Sequence, residues 1–150
     1  MREQFTEEMK AAMRAGDKPR LGTIRLIMAA LKDKDIEARG AGRGQASADE
    51  ILGLLQKMIK QRQESADVYD KGGRPELAAG ERAEIAVISA FLPKQMDEAE
   101  VKAAIAAAIA ATGAASMKDM GKVVAELRAK FAGQMDFGKA SGLVKAALNG

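Results

Sequence analysis

Apolar positions recur every three to four residues along most of the chain, and glycines, prolines and cap-forming residues cut that rhythm into segments. In residues 1–15, Phe5, Met9 and Met13 fall at i, i+4 and i+8, the spacing of one helical face. Gly16-Asp17 breaks the segment, and Pro19 suits the first turn of the next helix. There Leu21, Ile24, Ile27 or Met28, and Leu31 share a side, before a stretch reading Gly40-Ala41-Gly42-Arg43-Gly44. Composition makes that stretch a flexible connector. It lacks both a preceding strand and a Gly-Lys-Ser/Thr ending, so it is not a phosphate loop.

Ser47-Ala48-Asp49-Glu50 has the form of a capping box, in which the hydroxyl accepts a first-turn N–H while Glu50 reaches back. The third helix runs through Ile51, Leu55, Met58 or Ile59, and Arg62, to Val68 or Tyr69. Gly72-Gly73 stops it, and Pro75 opens a fourth helix with Leu77, Ile85, Ile88 and Leu92 on its apolar side. Pro93 is expected to end that helix, because the residue before a proline is pushed out of helical geometry. A fresh apolar period then begins. Asp97 should cap a helix carrying Val101, Ile105 and Ile109. Ser116 should cap one carrying Met120, Val123 or Val124, and Leu127. Asp136 should cap the last, with Leu143, Val144, Ala147 and Leu148. The pattern predicts an all-α protein: an N-terminal four-helix unit over residues 1–93, then a small C-terminal three-helix bundle over 94–150.

Composition sharpens this reading. Hydrophobic residues make up 47% of the chain but aromatics only 3%, so the core must be aliphatic. Strong helix formers dominate, and alternating strand-type runs are absent. There is no cysteine and no histidine. Disulfides, thiolate metal sites and any triad that needs an imidazole base are thereby excluded. The longest apolar run, residues 103–111, falls far short of the roughly 20 needed to span a bilayer, and no membrane partner is expected. The first residues are polar and acidic where a signal peptide needs an apolar core. A soluble cytoplasmic protein is the expectation from these features. Net charge is +3, with 16 basic and 15 acidic residues through Pro93 and 8 and 6 after it. Neither part is a dedicated basic module, so any RNA contact must come from local arrangement.

Several polar segments carry candidate chemistry. In Lys60-Gln61-Arg62-Gln63-Glu64-Ser65, Arg62 continues the inward stripe and needs an acidic partner, for which Glu81 and Glu84 are the natural candidates. A structural ion-pair network is expected. Two carboxylates a turn apart, without histidine or a third ligand, do not make a metal site. Gly72-Gly73-Arg74-Pro75-Glu76 reads as a helix–helix turn with Arg74 at its rim. Lys118, Lys122, Lys130, Lys139 and Lys145 give the C-terminal bundle scattered positive charge. In Met120-Gly121-Lys122, a first-turn glycine costs roughly 1 kcal/mol relative to alanine. That implies a close approach, by a packed helix in the preferred reading or by a phosphate at the positive helix end in the other.

Taken in order, the Lys60–Ser65 segment, Gly72-Gly73-Arg74-Pro75-Glu76-Leu77-Ala78, Glu81, Glu84, Phe91-Leu92-Pro93, Met120-Gly121-Lys122-Val123-Val124 and Gly133-Gln134-Met135-Asp136 resemble the GatB/YqeY family in its short stand-alone form. The C-terminal part resembles the tail domain of the B subunit of tRNA-dependent amidotransferases. That resemblance implies RNA contact at Gly121, Lys122, Gly133 and Asp136. It also implies association with a carbon–nitrogen ligase that uses glutamine as amido donor. The chain departs from those enzymes by lacking counterparts of their ATP- and metal-binding domain and their amidase signature. No catalytic residue and no cofactor are therefore expected. The reading is a non-catalytic accessory module that binds tRNA or serves tRNA metabolism, docking on an amidotransferase or an aminoacyl-tRNA synthetase. The alternative is a helical protein–protein interaction module. So few aromatics disfavour stacking on single-stranded bases, so the RNA should be folded and read by shape.

Overall fold

The computed structural model describes residues 1–149. Among them lie seven α-helices and no strand: α1 (Arg2–Ala15), α2 (Lys18–Gly40), α3 (Ala48–Lys71), α4 (Pro75–Ser89), α5 (Glu98–Thr112), α6 (Met120–Phe131) and α7 (Phe137–Asn149). A 3₁₀ turn, Met117–Asp119, leads into α6. The chain divides into two compact units, Met1–Leu92 and Pro93–Gly150.

In the first unit α3 and α4 form a hairpin, and α2 packs on it and on α1. Phe5, Ile24, Ile27, Leu55 and Ile88 are fully enclosed at its centre. The Phe5 and Phe91 rings meet edge to face, with centroids 4.9 Å apart. This contact explains where α4 stops. The helix ends at Ser89, ahead of Pro93. Phe91 and Leu92 instead make three-residue turn bonds back to Ile88 and Ser89, which tightens the chain and swings Phe91 onto the core. On α1 the buried residues are Phe5 and Ala12, while Met13 is 54% exposed. The expected stripe drifts because the partner helix covers only about one face. Leu77, expected inside α4, is likewise exposed, and Ala78 takes the buried position.

The glycine-rich stretch is more constrained than its composition implies. Arg2 donates from both guanidinium nitrogens to the two Asp35 oxygens at 2.8 Å, and to the Ala46 carbonyl at 2.9 Å. The Ala46 N–H closes the ring onto Asp35 at 2.9 Å. Arg43 pairs with Glu50, and Gly42 and Gly44 take the left-handed backbone that glycine enters at little cost. The Arg2 hydrogen bonds, then the Ala46 amide, hold the Asp35 carboxyl far below its usual pKa. Ser47 and Glu50 form both halves of the capping box that starts α3.

In the second unit Asp97 and Glu100 form another capping box at the start of α5. Val123, Leu127 and Val144 are fully buried, with Ala104, Ala108 and Ala140 among the other core residues. Small residues at those positions let the helix backbones approach closely. Val101 and Ile109, expected at the centre of the α5 face, are only partly buried and flank Ile105. Ser116 does not cap a helix. Its side chain makes no cap bond, and the 3₁₀ turn separates it from α6.

Candidate nucleic-acid interface

The residues singled out for RNA contact lie at the two ends of α6. Gly121 sits in the first turn, exposed, and a Cβ built on it would meet nothing within 4 Å. The helix-packing explanation preferred for this glycine is therefore overturned: no neighbouring helix comes close enough to demand it. Lys122 beside it is 71% exposed, with its ammonium 3.9 Å from Asp119. Asp119 accepts the Ala115 N–H at 3.0 Å. That backbone bond is the main cause of its depressed pKa, with smaller help from the Ser116 amide and the Lys122 charge. The acid at this end is thus turned toward its own backbone, and the lysine faces solvent.

Gly133 and Asp136 occupy the turn between α6 and α7. Gly133 is buried with φ +77°, a conformation that requires glycine here. Its carbonyl accepts from Gln95 Nε2 at 2.6 Å, and the Met96 N–H donates to the Gln134 carbonyl at 2.9 Å. Asp136 accepts the N–H groups of Gly138 at 2.8 Å and Lys139 at 3.3 Å, capping α7. Both residues have structural work to do. A helix of α6's length rises about 18 Å, so the fold keeps Gly133 and Asp136 well away from Gly121 and Lys122.

The first unit holds the expected ion-pair residues. Arg62 Nε donates to Glu84 at 2.7 Å, and its guanidinium also reaches the Met58 carbonyl at 3.1 Å. The Arg62 side chain is 15% exposed, so this pair lies at the edge of the core. Glu81 makes no ion pair among the described residues. Arg82, one residue on, pairs instead with Asp70. Arg74 lies exposed at the hairpin turn, where Gly73 has φ +72°.

One feature escaped the sequence reading. A groove of about 640 Å³ in the second unit is lined by Met96, Val101, Met135 and Leu143, with Gln95 and Lys139 also at its walls. Its signal was present in the sequence. Met96 precedes the Asp97 cap and Val101 sits four residues into the helix, the positions of a hydrophobic staple. Among the described residues no three His, Cys, Asp or Glu side chains are placed to hold a metal ion. No single helix there is long and apolar enough to cross a membrane.

The model of the Yqey-like protein family matches residues 2–148, and the chain belongs to that family. Three relatives carry the name "Altered inheritance of mitochondria protein 41, mitochondrial". The one from Eremothecium gossypii is 33% identical over 86 residues, covering 57% of this chain and 45% of the relative. The Vanderwaltozyma polyspora protein is 31% identical over 86 residues, with the same coverage. The Lachancea thermotolerans protein is 32% identical over 101 residues, covering 66% of this chain and 52% of its own length. The chain thus spans about half the length of the curated relatives it matches. All three are named as mitochondrial, which overturns the cytoplasmic expectation. Lack of cysteine and of long apolar helices does not distinguish one aqueous compartment from another, so composition could not have carried that assignment.

Proposed function

We propose that this member of the Yqey-like family is a non-catalytic tRNA-binding module whose C-terminal helices make the RNA contact. The observation that carries this reading is the start of α6. A glycine there has no packing reason, and the space above it is open beside an exposed lysine. A phosphate oxygen is favoured at that place by the positive end of the helix and by the exposed Lys122 ammonium. The resemblance of residues 94–150 to the amidotransferase B-subunit tail points to folded tRNA as the ligand. It also points to an amidotransferase or an aminoacyl-tRNA synthetase as the machine the module serves. No counterpart of the amidotransferase's ATP- and metal-binding domain or of its amidase signature is recognisable in these residues, so glutamine hydrolysis and amide transfer are assigned to such a partner.

The test is a titration of folded tRNA against the full chain and its Lys122→Glu variant at two salt concentrations. Binding should be on the order of micromolar or weaker at physiological salt, as for contacts made chiefly to phosphates. Lys122→Glu should weaken it and flatten its salt dependence with helix content unchanged. No binding at low salt, or identical curves, would contradict the reading.

A second reading, a protein-interaction module, is favoured by the α3–α4 hairpin. Val68 is 67% exposed and Leu77 41%, both toward the turn. Recovery of one stoichiometric protein partner from extract, unchanged by nuclease, would favour that alternative.

A further inference from the structure

The fold sorts the charged residues of the second unit by end, which their order in the chain conceals. One end is the α6–α7 turn. α5 begins there, because Gln95 and Met96 bond to the Gly133 and Gln134 carbonyls. α7 also begins there, with the Arg128 guanidinium 5.2 Å from the Phe137 ring centre. The opposite end holds the close of α5, the 3₁₀ turn and the start of α6. That 3₁₀ turn packs against α7 as well as α6. Since α7 starts beside the last turns of α6, the part of α7 that reaches the 3₁₀ turn is its second half, which carries Lys145.

The two ends differ in charge. Toward the α6–α7 turn end lie five basic and four acidic side chains, Lys102 pairing with Glu98 at 3.2 Å and Lys130 reaching back to the mid-helix Glu126 at 2.8 Å. At the other end stand Lys118, Lys122 and Lys145 with Asp119, since residues 103–115 contain no charged side chain; Glu126, one turn along α6 from Lys122, is paired with Lys130. Asp119 is bonded to the Ala115 N–H, and Lys118 and Lys145 make no ion pair among the described residues. Both phenylalanines of the unit, Phe131 and Phe137, lie toward the turn end. The basic end therefore offers cations without any ring on which a base could stack.

We propose that Lys118, Lys122 and Lys145 form one phosphate-contacting surface for the backbone of a folded RNA. The turn end, Gly133 and Asp136 included, takes no part in it. This rests on the RNA reading above and narrows it: the surface reads backbone charge and shape rather than base identity. Unrelated duplex RNA of equal length should then compete with tRNA to within a few-fold.

The experiment titrates a folded tRNA transcript against the full chain and its Lys118→Glu, Lys145→Glu and Lys139→Glu variants, at low and moderate salt. Circular dichroism confirms their helix content, with Lys145→Gln as the milder companion to Lys145→Glu. Lys118→Glu and Lys145→Glu should each weaken binding by roughly fivefold or more at low salt and lower the salt slope by about 1. Lys139→Glu should stay within about twofold of wild type. If wild type binds and the Lys139 change costs as much as the others, or Lys118 and Lys145 cost nothing, the one-ended surface is wrong while RNA binding stands. If wild type does not bind at low salt, both proposals fall.

Discussion

The two units differ in how far their ion pairs reach. In Met1–Leu92, acids reach across to other helices or past a turn. Asp35 holds Arg2, Glu8 holds Arg20 at 2.6 Å, Glu84 holds Arg62, and Asp70 holds Arg82. In the second unit the ion pairs among the described residues join neighbours three or four apart, which are worth only a few tenths of a kcal/mol each. Its acids stand instead at helix starts, where Asp97, Glu100 and Asp136 bond backbone groups. The first unit thus uses several of its acids to tie one helix to another, and the second keeps its ion pairs within single helices.

Core truncation should move stability most and provides the scale for the rest. Ile88→Ala in the first unit and Leu127→Ala in the second each remove a fully buried side chain, and each should cost about 2–5 kcal/mol. Hydrogen exchange would check that each loss appears first in the helices of its own unit.

A smaller effect tests whether the inter-helix pairs are structural. Arg62→Ala should destabilise by about 1–3 kcal/mol, since it removes stem packing and strands Glu84 at a half-buried site. Arg62→Met keeps the packing and should recover part of the loss. Equal melting temperatures for Arg62→Ala and wild type would break the contrast between the units.

The caps should matter next. Asp97→Ala removes one half of the α5 capping box and should cost about 1 kcal/mol, seen as a lower denaturant midpoint with unchanged slope. Such a result would identify capping as the use of acids in the second unit.

Acid should then weaken the Arg2–Asp35–Ala46 ring. The folded pKa of Asp35 lies below its unfolded value of about 3.9, so its contribution is complete above that value and is lost as pH falls below it. Thermal melts should show Asp35→Asn less stable than wild type at pH 7, with the gap shrinking by pH 3. A gap independent of pH would mean the carboxylate charge is not what holds the ring.

The helices were legible in the sequence because each carries its own punctuation. Asp17, Ser47, Asp97 and Asp136 all accept first-turn N–H groups, and Gly16, Gly73 and Gly113 take left-handed backbone at helix ends. Less legible was anything that depends on which neighbour covers a face. Met13 and Leu77 fit an apolar period yet point to water, while Ala12 and Ala78 are buried. Likewise the pattern of hydroxyl and acid at Ser116 mimics a cap, but Asp119 reaches back to Ala115 and winds the chain into a 3₁₀ turn first. The candidate site was legible as residues and not as a place. The helix through Met120 and Leu127 already set Gly121 and Lys122 apart from Gly133 and Asp136, but nothing in the sequence shows that α7 packs back against the 3₁₀ turn before α6.

The most direct test of the account is a lysine-reactivity footprint of the full chain, modified with and without folded tRNA at low salt and read by mass spectrometry. Protection is expected at Lys118, Lys122 and Lys145, with Lys139 and the first-unit residues Lys57, Lys60 and Lys71 reacting as they do without RNA. Protection confined to the first unit, or centred on Lys139, would contradict it.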